Sequence, residues 1–345
     1  MGLETKAFEE ELSDFLGYPV ACIVNGTAAI QLGLQALDVK PQDEVLVPSL
    51  TYLATFQAIS ALGAIPVACD VIPGSLAIDL NHATELLSER TKVILPVHFG
   101  GEFRQREAIA AFAHKNKLRV LEDAAHAFGS LDDDFSKPKP IDLIAYSFDG
   151  IKNITSGEGG CLVGVDPAVL GRIADIRLLG VQGDTSNRYL GKRSWDFDVV
   201  EQGWRYHMSD VMAAIGRVQL RRQKTLAARR KGLAGNYDRL LLHSDIETMP
   251  VDYKRSVPHI YPVLLPERVD RNIIRDSLEL LGVQTGVHYK PNHLLSFYKS
   301  SRRLPVTESV YQRIISLPLH PRIRRRDQLR VVNSLLELID REPKI

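Results

Sequence analysis

Seven short apolar runs in the first half of the chain limit the folds that this sequence can adopt. They are rich in valine and isoleucine and mostly continuous rather than alternating, as expected of strands buried on both faces of a parallel sheet. Most gaps between them are long enough for a crossover helix. The runs are ACIV at 21–24, EVLV at 44–47, IPVACDV at 65–71, KVILPV at 92–97, LRVLE at 118–122, DLIAYS at 142–147 and GCLVGV at 160–165. The pattern predicts a large α/β domain.

The character of the sequence changes after about residue 236. Upstream, Ser209 is the expected N-cap of a helix that continues as DVMAAIGRVQLRRQKTLAARR. Downstream, HIYPVLLP from His259 predicts a strand, and ERVDRNIIRDSLELLG predicts a helix that ends at Gly282. We therefore expect a large domain over residues 1–235 and a smaller α+β domain over residues 236–345.

Charge and composition argue against several classes of function. Lysine and arginine number 43 against 42 acidic residues, so the net charge of +1 gives no long-range attraction to nucleic acid or to an anionic membrane. The basic run at 221–231 is interpreted as a solvated helix face.

Cys22, Cys69 and Cys161 lie in apolar runs without a C-x-x-C pair, which indicates small buried side chains in a reducing compartment. With no apolar signal-peptide core and no stretch of roughly 18 apolar residues, a cytoplasmic protein is expected.

The first predicted strand leads through Asn25, Gly26 and Thr27 into a helix with the sequence TAAIQLGLQAL. Glycine permits a tight turn, and the threonine hydroxyl lies beside the helix N-terminus. Free N–H groups and the helix dipole at that point favour a phosphate. On its own, the segment is better explained as a capped helix after a strand.

A second strand end carries Glu122 and Asp123, followed by His126, in VLEDAAHAFGS. Residues at the carboxyl ends of strands in α/β folds face the ligand crevice. A carboxylate there is suited to bind a metal, to accept a proton or to pair with a protonated ring nitrogen; a helix cap with a packed histidine is the simpler alternative. Because the sequence holds no clean cluster of metal ligands, no metal site is expected.

A third strand ends at Ser147 and is followed by the Gly-rich loop that contains Lys152, SFDGIKNITSGEGG. Most lysines are surface residues, but one in a crevice is costly as a free ammonium and better tolerated as a Schiff base. A phosphate cradle, a strand-end aspartate and a lysine on one sheet edge match the needs of pyridoxal phosphate. The aspartate pairs with the pyridinium nitrogen, and the lysine forms the covalent link.

These segments resemble the sugar aminotransferases of the DegT/DnrJ/EryC1/StrS family, which have the aspartate aminotransferase (type I) fold. The loop SF-x-x-x-K-x-x-x-x-GEGG with an upstream EDAAH is highly specific in combination. The other matching segments, in order along nearly the whole chain, are NGTAAIQLGLQAL, VPSLTYLATFQAISALGAIPVACDV, LPVHFGG, GWRYHMSDVMAAIGRVQL, HYKPNHLLSFY and SLPLHP. The resemblance implies a PLP-dependent transferase of the type I fold. This fold has a large domain with a mostly parallel seven-stranded sheet and a smaller C-terminal α+β domain.

The resemblance also implies roles for individual residues. Lys152 is expected to form the Schiff base and to move the proton between cofactor and substrate. Asp123 is expected to hold the pyridine nitrogen protonated, and His126 to lie against the face of the ring. The residues expected to bind the cofactor phosphate are Gly26, Thr27, Ala28 and Ser147. The residues expected to contact the substrate are Thr51, Tyr289 and His293.

One position departs from the family pattern. Many members have G-Y-N-Y-R-M where this chain has GWRYHM at 203–208, and their asparagine reaches the cofactor phosphate of the partner subunit. Arg205 occupies that place, and a guanidinium is able to make the same contact. Trp204, Tyr206 and Met208 are of types enriched in interface cores. We expect a homodimer with shared active sites in which Arg205 binds the cofactor of the partner; a salt bridge within the chain is the alternative.

The reaction implied by the resemblance is a ping-pong transamination. L-Glutamate is expected to give its amino group to the cofactor, and a dTDP-linked 4-keto-6-deoxyhexose is expected to accept it. The product is a 4-amino-4,6-dideoxy sugar for a bacterial surface polysaccharide such as the O-antigen of lipopolysaccharide. Some members carry histidine in place of the lysine and are dehydratases, so Lys152 favours transamination.

Three other functions stay open to different degrees. The first is a C3 aminotransferase acting on a nucleotide 3-keto-6-deoxy sugar, which the motifs do not separate from a C4 enzyme. The second is a non-catalytic PLP-binding regulator of the same fold, against which the intact set Lys152, Asp123, His126 and Ser147 argues. The third, a nicotinamide dehydrogenase, is disfavoured because no G-x-G-x-x-G opens a helix after the first strand.

Overall fold

Seven strands form the large sheet of this protein. The computed structural model describes residues 1–130, 141–183, 190 and 196–341. The strands are β1 (Val20–Ile23), β2 (Glu44–Pro48), β3 (Ile65–Cys69), β4 (Thr91–Ile94), β5 (Arg119–Asp123), β6 (Leu143–Ser147) and β7 (Gly160–Gly164). Their order across the sheet is β1-β7-β6-β5-β4-β2-β3. Each strand lies on one of the seven apolar runs, so the predicted strands are confirmed.

All neighbouring strands run parallel except those beside β7, which is antiparallel to both β1 and β6. The connection from β6 to β7 covers only residues 148–159 and contains no helix. Parallel neighbours need a longer crossover, so this short loop returns the chain in the opposite direction. The sheet is therefore mostly parallel, as predicted, and the loop with Lys152 leaves the carboxyl end of β6.

Helices bury the two faces of the sheet in separate apolar clusters. The helices of this part of the chain are α1 (Leu3–Leu16), α2 (Gly26–Ala36), α3 (Leu53–Ser60), α4 (Leu80–Glu85), α5 (Arg106–Asn116), α6 (Pro167–Ile176), α7 (Asp210–Arg221) and α8 (Gln223–Leu241). Val120 packs in the cluster that contains α1 and α5, and the next residue, Leu121, packs in the cluster that contains α2, α3 and α6. Because successive strand residues face opposite sides, burial on both sides explains the continuous apolar runs.

The C-terminal part has its own antiparallel sheet of three strands. These are β8 (Glu247–Thr248), β9 (Tyr261–Leu264) and β10 (Ile314–Leu317), in the order β10-β9-β8. The accompanying helices are α9 (Arg271–Leu280), α10 (Pro305–Arg313) and α11 (Arg325–Arg341). The strand predicted from His259 is β9. The helix predicted to end at Gly282 is α9, after which Gly282 adopts the left-handed φ of 74°.

The predicted helix after Ser209 begins as expected but is broken once. The Ser209 hydroxyl accepts the Met212 N–H at 3.4 Å and caps α7. The break lies at Arg222, because α7 packs against α1 whereas α8 packs against α11. Helix α8 runs through residue 236, so the division into domains 1–235 and 236–345 stays a prediction.

The composition led to expectations about the cysteines and about membrane-spanning helices. Cys22, Cys69 and Cys161 are buried and unpaired, which confirms their interpretation as small core side chains. No helix in the described ranges is long and apolar enough to cross a membrane.

Candidate active site

Three of the predicted site residues meet at one edge of the large sheet. Asp123 ends β5, and Ser147 ends the parallel neighbour β6, with Asp123 paired in register to Ala145. Lys152 follows in the loop after β6, and its backbone N–H donates to the Asp149 carbonyl at 3.0 Å. The carboxyl ends of neighbouring parallel strands thus bring together the carboxylate, the hydroxyl and the amine.

The start of α2 lies directly against Ser147. A Cβ added to Gly26 would lie 2.8 Å from Ser147 Cβ and 3.2 Å from its hydroxyl oxygen, so only glycine allows this approach. Asn25 caps the helix, because its side-chain oxygen accepts the Ala28 N–H at 2.8 Å. In the described part of the chain, the N–H groups of Gly26 and Thr27 have no acceptor. They form an anion cradle with the Ser147 hydroxyl.

This geometry bears on the predicted phosphate ligands. Gly26, Thr27 and Ser147 lie together as expected. The N–H of Ala28 is already engaged by Asn25, so its contact with a phosphate stays a prediction. Asn25 was not among the predicted site residues, although asparagine before an apolar helix is a common capping signal that identifies it.

Asp123 is buried, and each of its oxygens accepts one hydrogen bond. Oδ2 accepts from the Thr55 hydroxyl at 2.8 Å, and Oδ1 accepts from the Ala125 N–H at 3.1 Å. Burial lowers the pKa of the partly buried Lys152 below its ordinary value of 10.5, against the opposing charges of Asp123 and Asp149. A larger fraction of Lys152 is therefore a neutral, nucleophilic amine near neutral pH than of an exposed lysine.

His126 is held as a neutral ring. Its Nδ1 accepts the Gly100 N–H at 3.4 Å, and its Nε2 lies 2.9 Å from the Tyr289 hydroxyl oxygen. With Nδ1 accepting, Nε2 carries the proton and donates to Tyr289. Burial, together with the charge of Lys152, lowers the pKa of His126 well below 6.5. A ring with this fixed tautomer suits the predicted role of packing against a flat cofactor.

Two further histidines from the C-terminal part of the chain complete this wall of the site. The His259 ring lies 4.4 Å from that of His126, centroid to centroid. His288 is anchored by a 2.8 Å hydrogen bond between its Nδ1 and the Ser316 hydroxyl, and burial and Lys152 lower its pKa to about 4. Sequence analysis missed both, because nothing local links them to a lysine more than a hundred residues away in the chain.

The predicted substrate residues have different surroundings. Tyr289 lies beside His126, as described above. Thr51 is only 2% exposed, and its hydroxyl lies 3.0 Å from that of Thr55. His293 is also 2% exposed; its Nδ1 lies 2.8 Å from the Ser49 hydroxyl and its Nε2 lies 3.5 Å from Glu308. These two side chains are engaged within the chain, and their contact with substrate stays a prediction.

Glu122, the second carboxylate of the strand end, faces away from Asp123. Two hydrogen bonds of 2.8 Å join it to the Arg106 guanidinium, and His98 Nε2 lies 3.4 Å away. Burial acts to raise the pKa of Glu122, but His98 and Arg106 outweigh it and hold that pKa below 4.5. Because adjacent strand residues point to opposite faces, only Asp123 belongs to the site.

Arg205 lies on an extended segment beside β1 and α6, with its side chain exposed. Its guanidinium makes no ion pair with the described residues, which gives no support to a salt bridge within the chain. Its three bulky neighbours have partners within the chain, so their place in an interface stays a prediction. Met208 is fully buried, and Trp204 and Tyr206 stack on each other and hydrogen-bond to glutamines of α2.

The side chains at this edge fit pyridoxal phosphate by their chemistry. The cofactor would be held by an amine with a lowered pKa, a carboxylate fixed by two donors, a neutral imidazole and a helix start with free N–H groups. The fold and this site together define a PLP-dependent transferase of the type I fold.

Comparisons with known proteins agree with this class. The DegT/DnrJ/EryC1/StrS aminotransferase family profile matches residues 1–336. The chain is 34% identical over 337 residues to the dTDP-4-dehydro-2,3,6-trideoxy-D-glucose 4-aminotransferase of Saccharopolyspora spinosa, covering 93% of this chain and 85% of that protein. It is 32% identical over 350 residues to the spore coat polysaccharide biosynthesis protein SpsC of Bacillus subtilis, covering 98% of this chain and 90% of that protein.

A solved structure extends the comparison to three dimensions. NtdA of Bacillus subtilis, crystallised with bound cofactor PMP, superimposes with a TM-score of 0.88 at 28% identity, over 99% of this chain and 78% of that one. PMP is the amino form of pyridoxal phosphate. The chain belongs to the DegT/DnrJ/EryC1/StrS aminotransferase family, and both the predicted family and the predicted fold are confirmed.

Proposed function

We propose that this protein is a PLP-dependent aminotransferase that moves an amino group from L-glutamate to a nucleotide-linked keto sugar. The observation that carries the proposal is the meeting of Lys152, with its lowered pKa, and the buried Asp123 beside the cradle of Gly26, Thr27 and Ser147. An amine, a fixed carboxylate and an anion cradle at one edge of a sheet are the groups that would hold pyridoxal phosphate.

Each residue has a distinct task in this reaction. When bound, pyridoxal phosphate supplies the carbonyl group that carries the amine and the ring that withdraws electrons from the reacting carbon. Asp123 holds a proton at the ring nitrogen, and Lys152 accepts and returns the proton at the reacting carbon. The neutral His126 directs its Nε2–H to Tyr289, and it would pack against the ring without adding charge.

The finer choice of substrate rests on relatives. The Saccharopolyspora spinosa relative acts at C4 of a dTDP-linked keto sugar, and SpsC is a protein of polysaccharide biosynthesis. We infer a nucleotide-linked 4-keto-6-deoxyhexose, dTDP-linked, as the acceptor. The 4-amino-4,6-dideoxy product would enter a surface polysaccharide such as the O-antigen.

The test is a panel of nucleotide 4-keto and 3-keto sugars incubated with isotope-labelled glutamate and analysed by mass spectrometry. Transfer of label to a 4-keto sugar is expected, and Lys152→Ala under the same conditions is the matched control. Turnover of 3-keto sugars alone would replace the proposal with a C3 enzyme. Tight cofactor binding without transfer to any sugar would favour a regulator.

We further propose a homodimer in which Arg205 reaches the cofactor phosphate of the partner subunit. The exposed guanidinium supports this contact. A second support is an apolar stripe on one face of α7, where Val211, Ile215 and Val218 are 74%, 44% and 51% exposed. Apolar side chains at this helical spacing are typical of a surface covered by a partner.

Complementation between inactive chains tests the contact. Lys152→Ala and Arg205→Ala chains are mixed and allowed to exchange subunits. If Arg205 acts across the interface, each heterodimer has one site with neither lesion, and activity returns. If activity stays at the mean of the two parents after exchange is confirmed by mass, Arg205 acts within its own chain or not at all.

A further inference from the structure

Two buried threonine hydroxyls form a chain that ends on Asp123. The Thr55 hydroxyl donates to Asp123 Oδ2 at 2.8 Å, and the Thr51 and Thr55 hydroxyl oxygens lie 3.0 Å apart. Because Thr55 gives its only proton to the carboxylate, Thr51 must donate to Thr55. Thr55 is 0% exposed and Thr51 is 2% exposed, so water does not replace either donor. The direction of the hydrogen bonds is therefore fixed toward Asp123.

The chain and the backbone together fix the rotation of the carboxylate. Thr55 occupies one oxygen of Asp123, and the Ala125 N–H occupies the other at 3.1 Å. Each oxygen keeps one further acceptor direction. A ring nitrogen that must meet such a direction needs a carboxylate held to within about 10–20°. Two donors on different oxygens provide that restraint, whereas the backbone donor alone leaves Oδ2 free.

The far end of the chain is anchored to the C-terminal part of the protein. The buried Asn292 side chain donates to the Thr51 carbonyl at 2.9 Å and to the Ser49 carbonyl at 3.2 Å. The Asn292 N–H donates to the same Ser49 carbonyl at 3.0 Å. The backbone that carries Thr51 is thus held from a second segment, and its hydroxyl keeps a constant position relative to α3.

We propose that Thr55 is a positioning residue for Asp123, with Thr51 as the second member of the chain, so that the carboxylate meets the ring nitrogen of the cofactor in one orientation. The inference rests on the PLP chemistry of the proposed function and deepens it. It gives Thr51 a task that acts through Thr55 rather than through contact with the substrate.

The test compares three variants. Thr55→Val removes the hydroxyl with little change of shape, and Thr55→Ser keeps it. Thr307→Val is the matched control, because Thr307 is also 0% exposed and its hydroxyl donates at 2.6 Å to a different carboxylate, that of Asp70. Loss of either hydroxyl removes one buried hydrogen bond to a carboxylate. Thr55→Val also removes the acceptor of the Thr51 hydroxyl, and only Thr55 adjoins the site.

Three quantities are measured: the dissociation constant for pyridoxal phosphate, the nitrogen NMR shift of ring-labelled cofactor in the loaded protein, and kcat and KM for glutamate. Thr55→Val is expected to weaken cofactor binding and to lower kcat by about tenfold each, with KM little changed and the nitrogen shift moved toward the unprotonated ring. Thr55→Ser, which keeps the hydroxyl, is expected to retain most of the cofactor affinity, the kcat and the nitrogen shift of the unmodified protein. If Thr55→Val does not fold, Thr51→Val carries the test with the same direction and a smaller effect.

A nitrogen shift, cofactor affinity and kcat in Thr55→Val that match the control Thr307→Val would overturn the inference and leave the proposed function intact. Failure of the unmodified protein to bind pyridoxal phosphate would overturn the proposed function and the inference together. The first outcome is seen in the Thr55→Val variant and the second in the unmodified protein, so the two failures can be told apart.

Discussion

Replacing Gly26 by alanine tests the packing on which the anion cradle depends. The new Cβ would lie 2.8 Å from Ser147 Cβ, about 0.6 Å closer than an ordinary van der Waals contact. Ser147 Cβ is fixed to the backbone of β6 and is unable to rotate away, so α2 or β6 must shift. Overpacking of this kind costs about 1–3 kcal/mol. The shift also moves the N–H groups of Gly26 and Thr27, so we expect the affinity for pyridoxal phosphate to fall about tenfold.

The assay is urea denaturation of the cofactor-free protein together with a cofactor titration. Gly171→Ala is the control, because Gly171 is exposed in α6 and its added Cβ would meet nothing within 4 Å. Removing a glycine from an exposed helix should stabilise the protein by about 0.5–1 kcal/mol and leave cofactor affinity unchanged. If Gly26→Ala has the same urea midpoint and the same cofactor affinity as the unmodified protein, α2 does not approach Ser147 as closely as described.

Three further outcomes follow from the site. Lys152→Ala should still bind the cofactor noncovalently but lose transamination by roughly 10²–10⁴-fold or more; near-normal turnover would mean that another lysine is used. Asp123→Asn should slow single-turnover proton abstraction from glutamate by roughly a hundredfold while the melting temperature changes little; lost stability with normal chemistry would make Asp123 structural. Since burial lowers the pKa of Lys152, the rate of covalent cofactor attachment should rise with pH through a midpoint below 10.5, and a midpoint at or above 10.5 would contradict that burial.

The strands were predictable because they are buried on both faces, which leaves long unbroken apolar runs. Their ends were less predictable. The run KVILPV ends as a strand at Ile94 rather than at residue 97, since Pro96 has no N–H to donate to the ladder. The break at Arg222 depends on which helices α7 and α8 pack against, and periodicity within one helix does not report that.

The residues predicted for the site are those whose neighbours in the sequence already identify them. Asp123, Ser147 and Lys152 follow strand ends in recognisable loops, and the structure brings them together. Thr55 and His259 were missed because their importance arises from contacts with Asp123 and His126 across the fold, and His288 because it arises from the charge of Lys152. A buried threonine or histidine in an isolated segment is more often part of a packed core.

The central claim is that Lys152 carries the cofactor of an aminotransferase, and borohydride reduction tests it most directly. The protein is loaded with pyridoxal phosphate, reduced to make the link to the amine permanent, digested and mapped by mass spectrometry. We expect the pyridoxyl group on the peptide that contains Lys152, and we expect it to be lost when the same protein is first treated with glutamate. A pyridoxyl group on another lysine, or none at all, would contradict the claim.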